Sequence, residues 1–230
     1  MKKIGIIGGI GPESTVEYYR GIIDTFRQVK EHKLPEIILY SASVYELLEL
    51  VDKKKWKELI DYLLRMITSL KLAGAEFALI SANTPHIVFD EVLEKSPLPL
   101  LSIVEETFKA TKLLKIKKIG LIGTKFTMGS SFYAKTFSKD DIQVVVPNAD
   151  EQAYIHNKLM TEIELGIIKD ETRDGLLSII KRMKDDQNIE GIILGCTEFS
   201  LILKQNAFGI PFLNTTAIHI ESIVNYCLES

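Results

Sequence analysis

A thiol, a hydroxyl and a carboxylate follow one another at Cys196-Thr197-Glu198, directly after the apolar run Gly191-Ile192-Ile193-Leu194-Gly195. A thiol moves protons once it ionises, and polar neighbours set that ionisation. A lone cysteine is otherwise a small buried hydrophobe, a role that needs no Thr197 or Glu198 beside it. Cys227, near the chain end, fits that quieter role. A second cluster, Asn83-Thr84-Pro85-His86, also follows an apolar run; its short side chains suit either anion binding or the capping of a helix with Pro85 in its first turn. His86 there reads as a hydrogen-bonded structural histidine, and Glu198 as an orienting carboxylate or an acidic residue in a first helical turn. Thr124 and Thr127, as lone loop threonines, read as caps or turn residues.

These groups need strand ends to hold them. Short apolar runs alternate with longer amphipathic ones, the pattern of parallel sheets with helical crossovers. The expected strands are Lys3 to Ile7, Ile37 to Tyr40, Phe77 to Ser81, Leu98 to Leu101, Lys118 to Ile122, Gln143 to Val146, Gly191 to Leu194 and Pro211 to Leu213. From Ser14, the residues Val16, Tyr19, Ile23 and Phe26 mark one apolar helical face. Further helices are expected over Lys54 to Ala73, ending at Gly74, and over Asp150 to Leu165 and Asp170 to Lys184. The Lys53-Lys54-Lys55 run reads as a solvated helix start.

The chain also resembles itself at half its length. Lys2-Lys3-Ile4-Gly5-Ile6-Ile7-Gly8 returns as Lys117-Lys118-Ile119-Gly120-Leu121-Ile122-Gly123, and Pro99-Leu100-Leu101-Ser102 as Pro211-Phe212-Leu213-Asn214. In the same register Ala78-Leu79-Ile80-Ser81-Ala82-Asn83-Thr84 matches Ile192-Ile193-Leu194-Gly195-Cys196-Thr197-Glu198, so Ala82 is the counterpart of Cys196. The expected fold class is α/β: two pseudo-symmetric doubly wound domains, each with a four-stranded parallel sheet, whose strand ends face a shared cleft. Residues 1–97 and 215–230 would form the first domain and residues 98–214 the second.

Composition narrows the partners. The 230 residues are 46% hydrophobic and 26% charged with a net charge of −3, enough for sizeable cores and without a basic footprint for nucleic acid or an anionic membrane. Two cysteines without paired spacing and four histidines give neither a disulfide framework nor a zinc signature, so a reduced, cytoplasmic protein is expected. The glycines after Met1-Lys2-Lys3 argue against a secretory leader, and no stretch approaches membrane-span length. Gly8-Gly9-Ile10-Gly11 lacks the third glycine and the following acid of a dinucleotide fingerprint; a tight turn offering amides at Gly9 is the better reading.

Gly8-Gly9-Ile10-Gly11-Pro12-Glu13-Ser14-Thr15, Asn83-Thr84-Pro85-His86 and Gly195-Cys196-Thr197-Glu198 resemble, over essentially the whole chain, the signatures of the cofactor-independent aspartate/glutamate racemases. The resemblance implies two α/β domains with the active site between them, commonly in a homodimer, and an amino-acid substrate whose α-proton is removed by one cysteine and returned by another, without pyridoxal phosphate or metal. It assigns catalysis to Cys196 and substrate binding to Gly9, Asn83, Thr84, Thr124, Thr127, Thr197 and Glu198. The first family cysteine falls at Ala82, which carries no proton. A one-thiol racemase, a one-face isomerase or decarboxylase, and a catalytically idle carboxylate binder therefore all stay open. Acidic-substrate members place a basic residue in the region matching Glu164-Leu165-Gly166 and a polar or basic one after the second strand. Here those regions supply Glu164, Tyr45 and Leu48 as a side-chain pocket, so aspartate or glutamate is the family default and not a reading of these residues.

Overall fold

The computed structural model describes residues 1–29 and 33–229. Contacts divide the chain into two compact units, residues 1–106 with 216–230, and residues 107–215. The first holds β1 (Ile4–Gly8), α1 (Pro12–Val29), β2 (Ile37–Ser41), α2 (Val44–Asp52), α3 (Trp56–Leu72), β3 (Phe77–Ile80), α4 (Phe89–Lys95) and β4 (Leu100–Leu101). The chain changes unit within α5 (Ile103–Leu113). The second unit holds β5 (Lys118–Ile122), α6 (Lys125–Gly129), α7 (Phe132–Phe137), β6 (Gln143–Val145), α8 (Ala149–Thr161), α9 (Asp170–Gln187), β7 (Gly191–Leu194) and β8 (Phe212–Asn214). Almost all of α10 (Thr215–Leu228) belongs to the first unit. No helix among the described residues is long and apolar enough to cross a membrane.

Each unit contains a parallel four-stranded sheet, ordered β2-β1-β3-β4 in the first and β6-β5-β7-β8 in the second. The central β1, β3 and β7 are buried throughout and β5 nearly so, as the continuous apolar runs predict for strands covered on both faces. The repeat reaches individual hydrogen bonds. Glu76 just before β3 accepts from the Lys3 N–H at 2.7 Å, and Glu190 just before β7 accepts from the Lys117 N–H at 2.6 Å. Because β4 pairs with β3, the chain leaves the first unit after residue 106 and not after 97.

The helices follow the expected pattern with two corrections. In α1 the buried face is Ser14, Thr15, Tyr18, Ile22 and Phe26, while Val16 and Tyr19 are exposed. The helix carries two adjacent apolar stripes, and Thr15 selects between them: its hydroxyl donates to the Gly11 carbonyl at 2.8 Å and accepts from the Gly9 N–H at 2.8 Å, turning that side inward. The expected helix ending at Leu165 stops at Thr161, and Ile163–Leu165 forms a separate 3₁₀ turn closed by Gly166 at φ +72°. α3 ends at Leu72, and Gly74, the expected stop, follows its cap Ala73 at φ +99°. The α10 residues Ile220, Ile223, Val224 and Cys227 join Ile4, Tyr18, Ile22, Phe26 and Phe77 in one core. There the Cys227 thiol donates to the Lys2 carbonyl at 2.9 Å, a structural placement.

Candidate functional site

At the end of β7, the Gly195 N–H donates to the Ile122 carbonyl at 2.8 Å and extends the ladder by one residue, leaving Cys196 extended at the lip of the sheet. The chain then turns into a 3₁₀ helix, Thr197–Leu201, whose first turn bonds the Phe199 N–H to the Cys196 carbonyl at 3.2 Å. Cys196 keeps some solvent contact while packing against the core of the second unit. Its thiol donates to Glu198 Oε2 at 2.9 Å, and the buried Thr197 hydroxyl donates to the same oxygen at 2.7 Å. Glu198 therefore contacts both neighbours and also lies in the first turn of the 3₁₀ helix, so both sequence readings fit it.

Glu164 reaches the same place from the 3₁₀ turn after α8. One donor atom each of Glu164, Cys196 and Glu198 lies within 4.8 Å of the others, the one group among the described residues that brings together three potential metal-binding side chains. Within it the sulfur donates to Glu198, and Glu164 stands as a second carboxylate close by. Its electrostatics are unfavourable to negative charge. Burial, reinforced by Glu198, pushes Glu164 up to about 7. Burial and then Glu198 and Glu164 push the Cys196 thiol well above the ordinary range. Burial, with these carboxylate neighbours, thus holds Cys196 as a thiol.

The matching end of β3 is built alike and equipped differently. The Ser81 N–H donates to the Ile7 carbonyl at 3.0 Å, as Gly195 does to Ile122. Ala82 is half-buried and its carbonyl lies 3.0 Å from His86 Nδ1. Burial lowers His86 to about 4, so its imidazole stays neutral, Nδ1–H donates to Ala82 and Nε2 has no hydrogen-bond partner. The Asn83 side chain is buried and does not cap the following Thr84–Val88 turn, which removes the capping reading for Asn83. Thr84 opens that turn, half-buried. The buried Ser81 hydroxyl is committed to the Ile7 carbonyl at 3.0 Å.

The other anticipated residues separate. Gly9 needs its φ of +79°, and a Cβ there would lie 2.3 Å from the Ala42 carbonyl oxygen. Its N–H is taken by Thr15, so the amide expected to be free is not. Thr124 caps α6 by accepting from the Thr127 N–H at 3.2 Å, and the two hydroxyls lie 3.1 Å apart. Tyr45 and Leu48 lie one turn apart on α2 of the first unit, Tyr45 being 83% exposed and Leu48 39%. Sequence reading missed Glu162, whose nearly buried carboxylate accepts from Lys158, Lys169 and Thr172 beside Glu164. The four-residue spacing of Lys158 and Glu162 was an available signal for that knot.

The chain resembles known proteins over nearly its whole length. A broad-specificity amino-acid racemase, RacX, from Bacillus subtilis strain 168 is 25% identical over 228 residues, covering 96% of each chain. The crystal structure of a putative Asp/Glu racemase from Yersinia pestis superposes with a TM-score of 0.90 at 37% identity, and that of an aspartate racemase homologue from Pyrococcus horikoshii OT3 with 0.89 at 34%, each covering 100% of both chains. The sequence model of the Asp/Glu/hydantoin racemases matches residues 7–223. With that match over nearly its whole length, the chain belongs to the Asp/Glu/hydantoin racemase family and is by that membership an isomerase.

Proposed function

We propose that the chain is a cofactor-independent amino-acid racemase of the aspartate/glutamate type in which a single thiol, Cys196, carries the α-proton. The observation that supports this reading is the Cys196 S–H aimed at Glu198 Oε2 at 2.9 Å. At rest the sulfur is protonated, because burial and two carboxylates disfavour a thiolate. The ammonium group that every amino acid brings offsets those charges. The S–H proton then passes to Glu198, and the thiolate takes the α-hydrogen as a proton, leaving the electron pair delocalised into the substrate carboxylate. Asn83 and Thr84, the residues that the resemblance assigns to that carboxylate, serve as its donors in this reading. Thr197, Thr124 and Thr127 spend their hydroxyls on Glu198 or on each other and act as supports.

Ala82 stands where the family has its other cysteine, so the proton returns from Cys196 or, more slowly, from water or the Thr84 hydroxyl. Ser81, already bound to Ile7, is a poor candidate. This favours a second reading, an enzyme that protonates a planar intermediate on one face. Glu164 beside the thiol argues against a second substrate carboxylate, so neutral and basic amino acids belong in the substrate panel with aspartate and glutamate. We infer action as a homodimer in the cytoplasm, where both free cysteines stay reduced.

Incubation with L- and D-amino acids in deuterated water tests the reading, with α-proton exchange followed by NMR and enantiomer ratio by chiral chromatography. Exchange faster than inversion is expected. Exchange with no inversion identifies the one-face enzyme, and neither process on any panel member overturns the proposal.

A further inference from the structure

Glu162 and Glu164, two residues apart, have opposite fates. The Glu162 side chain is only 9% exposed, and its carboxylate accepts from Lys158 Nζ at 2.7 Å on α8, from Lys169 Nζ at 3.1 Å just before α9, and from the fully buried Thr172 hydroxyl in the first turn of α9. Its backbone ties the same segment. The N–H donates to the Lys158 carbonyl at 3.2 Å, and the carbonyl accepts from the Leu165 N–H at 3.0 Å and the Ile167 N–H at 2.9 Å. The bonds to Lys158 anchor Glu162 to the end of α8, while those to Lys169, Thr172 and Ile167 span the turn on which Glu164 stands.

Glu164 has the opposite problem. A half-buried carboxyl facing the Glu198 carboxylate gains free energy by swinging into water, and a loose glutamate side chain on a surface turn would do so. Its place within 4.8 Å of the sulfur and of Glu198 depends on where the turn's backbone presents the side chain. We propose that Glu162 is a positioning residue for the thiol site: by clamping α8, the 3₁₀ turn and α9 with one ionised carboxylate, it fixes Glu164 against Cys196 and Glu198. Lys158, then Thr172 and Lys169, hold Glu162 down at about 2, so the clamp stays charged while Glu164 titrates. The charged groups facing the sulfur are Glu198 from its own turn and Glu164 from the clamped one. The proposal rests on the reading of Cys196 as the proton-carrying group.

The test is peptide-resolved alkylation of Cys196 by iodoacetamide as a function of pH, which needs no amino-acid substrate. Glu164→Gln removes one carboxylate from the sulfur and should move the profile to lower pH, raising the rate at pH 8 about 3–10-fold. Glu162→Gln and Thr172→Val should reproduce that shift by releasing the turn, and Thr172→Ser, which keeps the hydroxyl, should match the native protein. Thr172→Val leaves every charge in place, so it separates positioning from a bare change of field, and it carries the test if Glu162→Gln does not fold. A native or upward-shifted profile in folded Thr172→Val overturns the proposal. So does a Glu164→Gln profile that does not move. Parallel α-proton exchange reports the enzymatic reading on its own: a clamp confirmed by alkylation in a protein that exchanges nothing leaves the positioning intact and removes the racemase.

Discussion

At the end of β3 the chain reads Ser81-Ala82-Asn83-Thr84, and at the end of β7 Gly195-Cys196-Thr197-Glu198. The two stretches share a frame. Ser81 and Gly195 each add one ladder hydrogen bond, at 3.0 and 2.8 Å, and a 3₁₀ turn follows each. Their chemistry differs. The β3 end carries a methyl group, an amide and a histidine held neutral by burial, and so offers dipoles without a titrating group near neutrality. The β7 end gathers a thiol and two carboxylates, where burial first and mutual repulsion second lift the thiol and Glu164. A duplicated backbone fixes where reactive groups can stand, and side-chain choice then decides whether both ends or one carries the acid–base chemistry.

The largest expected effect comes from removing the thiol at the β7 end. Cys196→Ser keeps the hydrogen bond to Glu198 and the fold, and should lower α-proton exchange by at least about 10²–10⁴-fold, the usual contribution of a general acid or base. NMR exchange on the best panel substrate measures it. Retained exchange would mean that the contrast between the strand ends has nothing to do with catalysis.

A smaller effect sharpens what the two carboxylates select. Glu164→Lys replaces like-charge repulsion with attraction for a substrate carboxylate, and aspartate binding should tighten by on the order of 1–3 kcal/mol. Titration calorimetry of native and variant protein checks this. Unchanged affinity would show that Glu164 tunes the thiol without meeting the substrate side chain.

The smallest effect is on stability. The fold raises Glu164 from 4.5 to about 7, so the unfolded chain loses that proton first and stability falls as pH rises between those values. Glu164→Gln removes the penalty: native and variant should unfold alike at pH 4, and at pH 8 the variant should be more stable by about 1 kcal/mol, allowing for solvent screening of a partly exposed group. Urea unfolding at the two pH values measures the difference. An equal difference at both would place the effect in packing.

Much of this contrast was legible in the residues. The strands were readable because central parallel strands are buried on both faces and leave unbroken apolar runs, and the repeat gave the Ala82–Cys196 correspondence directly. The buried face of α1 was not legible, since Val16, Tyr19 and Ile23 are as apolar as Tyr18, Ile22 and Phe26, and the choice falls to the Thr15 hydroxyl. The resemblance pointed to the Glu164 region, but not to its electrostatics, which depend on how close Glu198 comes. Glu162 was hidden because two of its three donors, Lys169 and Thr172, lie beyond the turn and meet it only after α9 folds back.

The central claim, that the β7 end works with one thiol, is tested most directly by the ratio of inversion to α-proton exchange in deuterated water, for native protein and Ala82→Cys. The account predicts a ratio well below unity for the native protein and a specific rise of about 10-fold or more when a cysteine occupies the Ala82 position. A native ratio already near unity and unmoved by the added thiol would contradict it, and would assign the second proton transfer to another residue.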